Sequence, residues 1–161
     1  MYTCINNICI LGELYTTKEM FLLNKYEILE QEIYDNNISL YEYPLIQIDA
    51  FCTKVDTKDY ICVNNTKDYS KLEKYWIIEH ELQHMKTRSY YTVNSSRQVL
   101  LRKERKANDS LIEKFNLASS TFELLAQGLE KWEICETLEI TTELYEHIVN
   151  YIKRKMKCTY E

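Results

Sequence analysis

Residues 70–85 read SKLEKYWIIEHELQHM, and the fold of the chain turns on how this stretch is taken. Ser70 and Glu73 stand at the spacing of a capping box, in which each side chain satisfies a backbone N–H at the start of a helix. Behind them Leu72, Tyr75, Ile78, Leu82 and Met85 recur every three or four residues, an apolar stripe along one helical face. Inside that predicted helix lies His80-Glu81-Leu82-Gln83-His84, the pattern H-E-x-x-H, which uses two of the 3 histidines in the chain. Residues four apart share a face, one turn from each other, so both imidazoles are placed to bind one Zn²⁺. Glu81 then stands beside the ion rather than on it, where its carboxylate can take a proton from water. A chance pentapeptide is the alternative, and a third ligand decides between the two.

Glu104 is the candidate third ligand. It falls on the apolar series Leu101, Glu104, Asn108, Leu111 and Phe115 of a second predicted helix, from about Arg97 to Asn116. A carboxylate on a core-facing stripe is costly unless it is paired or bound to a metal. The twenty positions after His84 leave room for the first helix to end and the second to return beneath the ion. Pairing of Glu104 with Lys or Arg on a solvated face stays open as the other reading. Asn108, one turn further on, is placed to hold the second nitrogen of a metal-bound imidazole, or else faces water. Tyr90 and Tyr91 follow the first helix closely, where a phenol can donate to a developing oxyanion; in a chain with 14 Tyr, core packing competes with that role.

Upstream, Thr16 and Glu19 make another capping box, and a helical rhythm runs to about Asp35. Three β-prone runs follow, Ile38–Tyr43, Leu45–Cys52 and Tyr60–Val63, broken by Pro44 and by the polar turn Asp56-Thr57-Lys58-Asp59. They predict a small antiparallel sheet. Downstream of the first metal helix, a polar stretch around Thr92–Ser96 is expected to end it. A helix from Ser120 to Gln127 stops at Gly128, and two more cover Glu130–Leu138 and Thr142–Lys155. The expected class is α+β: sheet, then a mostly helical, zincin-like core at residues 1–128, then a helical subdomain at residues 129–161.

The chain has 161 residues and a formal net charge of -5, with only 2 Gly and 1 Pro, which argues against turn-rich sandwiches and Gly-rich phosphate loops. The acidic balance argues against direct nucleic-acid binding. Charge is uneven, however: seven basic residues and a single acid, Glu104, lie between Lys86 and Lys106. The 129–161 tail has helix-turn-helix proportions but a Glu-rich surface, unsuited to phosphate contact. None of the 6 cysteines has C-x-x-C spacing, no apolar run is long enough to span a bilayer, and no secretory signal is evident. A reduced cytoplasmic protein without a membrane partner is expected, with Cys52 and Cys62 in the core.

Taken together, His80-Glu81-Leu82-Gln83-His84 and Glu104-Arg105-Lys106-Ala107-Asn108 resemble the paired H-E-x-x-H and E-x-x-A-N motifs of the ImmA/IrrE metallopeptidases. The segment Met85–Tyr91 is similar to one in small prophage-borne members, and the tail Trp132–Glu143 fits as well. Gln83 departs from the pattern, since a small residue, often Gly, usually precedes the second histidine. What the resemblance implies is one Zn²⁺ per chain held by His80, His84 and Glu104, with Glu81 as general base. It also implies a protein substrate, a DNA-binding helix-turn-helix repressor of the XRE type. The competing expectation is a non-catalytic zinc-containing regulatory protein that binds and inactivates a repressor or another partner. A helical scaffold carrying the motif by accident is a third.

Overall fold

In a computed structural model, which describes residues 17–92 and 94–158, the chain is α+β. The order is α1 (Thr17–Asp35), β1 (Ile38–Tyr43), β2 (Ala50–Val55), β3 (Lys58–Asn64), α2 (Lys71–Lys86), α3 (Arg97–Lys114), α4 (Leu117–Ala126), α5 (Lys131–Leu138) and α6 (Thr142–Cys158). The capping box expected at Thr16 lies outside the described residues. None of the described helices is long and apolar enough to cross a membrane.

The sheet is mixed, which corrects the antiparallel expectation. Its order is β1-β3-β2, with β1 parallel to β3 and β2 antiparallel to it. A two-residue turn at Asp56-Thr57, with Asp56 at φ 54°, closes the β2–β3 hairpin. The reason β1 does not pair with β2 lies in residues 45–49, which were expected to be strand. The buried Asn64 amide donates to the carbonyls of Leu45 and Ile48, at 3.1 and 2.9 Å, and its oxygen accepts from the Leu45 N–H at 3.1 Å. Those backbone groups are therefore satisfied by a side chain instead of a neighbouring strand. The segment loops across, and β2 begins only at Ala50.

Alternation along β3 sends Ile61 and Val63 into the core and turns Cys62 to the outer face beside the stacked Tyr41 and Tyr60, so Cys62 is not the core residue expected. Cys52 does pack against the core, and Cys52, Cys62 and Cys135 are free thiols. The hydrophobic cluster runs from Leu29 through Trp76, Leu82 and Leu111 to Ile134 and Ile148, so α5 and α6 share the core of the preceding elements. Trp76 fixes the far end, its indole N–H donating to the Glu139 carbonyl at 2.8 Å.

Helices α2 and α3 pack antiparallel in a register that three side-chain contacts define. Glu79 meets Lys114 at 2.7 Å, Gln83 meets the Ser110 hydroxyl at 2.9 Å, and the Thr87 carbonyl accepts from Lys106 at 2.6 Å. Each step is four residues along both helices, one turn against one turn. The register explains one failed expectation. The N-terminal turns of α3 project past the end of α2, so Leu101 has no helix to pack on and is 55% exposed.

Glu79 is buried, and Lys114, which also reaches Glu32 at 2.9 Å, is its counter-charge. Burial raises the Glu79 carboxyl pKa, while hydrogen bonds to Glu79 and Glu32 outweigh desolvation and hold Lys114 charged. Lys114→Met strands that acid in the core and is expected to cost about 3 kcal/mol in urea unfolding, much of it regained when Glu79→Met is added.

Candidate metal centre

The capping box at Ser70 forms as read: the Ser70 hydroxyl accepts from the Glu73 N–H, and the Glu73 carboxylate accepts from Ser70 N–H at 2.8 Å. The helix it opens carries His80, Glu81 and His84 in its last two turns. It ends earlier than expected, at Lys86. The N–H of Ser89 bonds the His84 carbonyl at 2.8 Å and the N–H of Arg88 bonds that of Met85 at 3.1 Å, with Arg88 left-handed at φ 51°. This is a Schellman stop with arginine where glycine is usual, and the missing glycine hid it in the sequence.

The stop has a chemical result. It folds Ser89, which is buried, back over the second histidine, so that His84 Nδ1 lies 2.9 Å from the Ser89 hydroxyl and 3.2 Å from its carbonyl oxygen. A carbonyl only accepts, so Nδ1 carries the proton and Nε2 presents its lone pair. No reading of the sequence pointed to Ser89. Asn108, expected to hold a metal-bound imidazole, hydrogen-bonds the other ring of the pair, His80.

The lone pair of His84 Nε2 faces His80 Nε2 at 3.1 Å and Glu104 Oε1 at 3.3 Å, and His80 Nε2 lies 3.1 Å from Glu104 Oε2. His80, His84 and Glu104 thus form one group able to hold a metal ion. The donor set passes a direct test. Tetrahedral bonds of about 2.0–2.1 Å separate neighbouring donors by roughly 3.4 Å, close to the separations here. The three groups come from two turns of α2 and one turn of α3, brought together by the interhelical register.

Electrostatics follow from this convergence. Burial resists charge on Glu104, but the hydrogen bond with His80, the adjoining His84 ring and the Tyr91 phenol prevail and hold its carboxyl well below the usual range. Burial likewise resists protonation of His80, and Glu104, Glu81 and Asn108 together outweigh it, raising the ring's pKa above 6.5. Glu81 is 8% exposed, and burial raises its carboxyl pKa against the opposing pull of His80 and His84. The Cys52 thiol of β2 hydrogen-bonds Glu81; desolvation, followed by the Glu81 charge, raises its pKa and keeps the S–H a donor.

The two tyrosines separate. Tyr91 stacks edge-on to His84 at 5.5 Å and its phenol hydrogen-bonds Glu104, which places it at the centre. Tyr90 turns away and donates to Asp59 at 3.1 Å, its phenol pushed up to about 12 by burial and that carboxylate. Gln83 is buried in the α2–α3 seam with its oxygen on Ser110, so it packs between the helices.

Two measurements probe the centre. Metal competes with a proton on His80, whose raised pKa keeps that proton bound up to and beyond the ordinary histidine range. Divalent-metal affinity by calorimetry is therefore expected to keep climbing as pH rises above the ordinary histidine value of about 6.5. Ser89→Ala removes the hydroxyl partner of His84 but leaves the backbone carbonyl, and is expected to weaken metal binding about tenfold with little change in unfolding midpoint.

No protein-family model matches the chain, and neither a curated protein nor a solved structure matches it, so the reading of this centre rests on its own residues and geometry.

Proposed function

We propose that the protein is a zinc-dependent endopeptidase with a zincin-like arrangement, as the resemblance to the ImmA/IrrE family suggests. The observation that carries this reading is the convergence of three metal-competent groups beside a buried carboxyl, Glu81, that is not one of them. Three protein donors leave a fourth position for water or substrate, the pattern of catalytic rather than structural zinc sites. Zinc bound there supplies Lewis acidity, polarising the scissile carbonyl and acidifying water.

The chain's own residues supply the remainder. Glu81 takes the proton from the attacking water and returns it to the leaving amine nitrogen; its raised pKa brings base and conjugate acid closer to neutral pH. Ser89 fixes the tautomer of His84. Tyr91, which donates to Glu104, is near enough to turn its phenol toward an oxyanion. Strand β2 has one edge unpaired among the described residues and carries Cys52 beside Glu81, so an extended substrate can lie along it by backbone pairing.

The proposed substrate is a helix-turn-helix repressor, on the strength of the family resemblance alone. Glu81→Gln is the test: it is expected to retain zinc and lose at least about a thousandfold of proteolysis. Equal relief of repression by the native chain and Glu81→Gln would instead establish a partner that inactivates by binding.

A further inference from the structure

The seam between α2 and β2 does not end at the metal centre. Glu81 faces Cys52. One turn along the helix from Glu81 is Met85, and two residues along the strand from Cys52, on the same face, is Lys54. Both steps span about 6 Å. There the seam opens into a cavity of about 550 Å³, lined among others by Lys54, Asp59, Met85, Lys86, Arg88 and Tyr90.

The lining is charged in one sense. Three of these side chains are cations and one, Asp59, is an anion. Asp59 is already engaged, by Lys54 at 3.2 Å and by the Tyr90 phenol at 3.1 Å. Lys86 is drawn to Glu32, outside the cavity. Arg88 makes no ion pair with any described residue, and it occupies the left-handed position of the helix stop, where a side chain costs strain that glycine would not. The cavity therefore presents a guanidinium with no ion pair among the described residues, together with a lysine ammonium shared with one acid. A guanidinium in that state is suited to a carboxylate, which it can grip with two parallel hydrogen bonds.

We propose that this cavity binds a carboxylate of the substrate, through Arg88 and Lys54, at a position about two residues from the scissile bond. The spacing follows from the distance along the seam, since an extended chain advances about 3.3 Å per residue. The inference rests on the peptidase reading for its link to a scissile bond, but the carboxylate site itself does not. An acidic side chain and a free chain end share the chemistry.

Three small probes separate these cases on the zinc-loaded protein, followed by amide resonances of the cavity lining. N-acetylglutamate α-amide carries only a side-chain carboxylate, N-acetylglutamine only a terminal one, and N-acetylglutamine α-amide none. At least one acid is expected to shift the lining resonances while the uncharged amide does not, and the acid that binds identifies the source. Arg88→Asn, a residue tolerated in the left-handed region, and Lys54→Gln are each expected to weaken binding about tenfold or more without loss of bound zinc. Equal response to all three probes, or response to none at tens of millimolar, overturns the proposal. Peptide-mixture cleavage read by mass spectrometry gives the second arm. Acids are expected near the cut for the native chain and not for Arg88→Asn. Cleavage without acidic preference refutes the subsite, whereas carboxylate binding without any cleavage refutes the peptidase reading and leaves the site standing.

Discussion

The antiparallel register of α2 against α3 is the constraint on which the centre depends. Glu79, Gln83 and Thr87 meet Lys114, Ser110 and Lys106 in steps of one turn. A slip of one residue would rotate α3 by about 100° and carry Glu104 away from the histidines. The innermost of these contacts is a buried ion pair, and buried charge tolerates few alternative partners. Specificity of register is therefore bought by Glu79 and Lys114, at a distance from the candidate metal ligands they align.

Beyond that register, the ligands are held by the way α2 stops. A helix end without glycine places Arg88 in a left-handed conformation and returns Ser89 to the ring of His84. One short turn thus does two things, capping the carbonyls of α2 and setting which nitrogen of His84 is free. The same turn also aims Arg88 into the neighbouring cavity. A left-handed backbone at a single residue thus borders both the candidate metal centre and the cavity beside it.

Much of this was legible in the sequence, for identifiable reasons. Caps and helical stripes are local, so α2 and α3 were readable from Ser70-Glu73 and from the period of their apolar residues. His80, Glu81 and His84 were readable from the H-E-x-x-H spacing on one helix, and Glu104 because a carboxylate interrupts the apolar stripe of the next; the two histidines and Glu104 do converge. What escaped depends on partners remote in sequence. Nothing near Leu45 announces that Asn64 will satisfy its backbone and so exclude it from a strand. Leu101 breaks its stripe because α3 begins beyond the end of α2, a fact of tertiary register. Tyr90 and Tyr91 differ only in which way the chain turns after Ser89, and the pairing of Glu79 with Lys114 joins residues 35 positions apart.

The parallel pairing of β1 with β3 shapes the order in which the sheet assembles. The β2–β3 hairpin is joined by a two-residue turn, a local pairing of the kind that closes on a microsecond scale, although two strands alone are marginally stable. Strand β1 pairs Ile38 with Asp59, so it must close a much longer loop, and it has no ladder to join until β3 is in place. The hairpin is thus the template and β1 the late arrival. Cys52 belongs to the hairpin and Glu81 to α2, so the contact between them needs no residue of the outer strand.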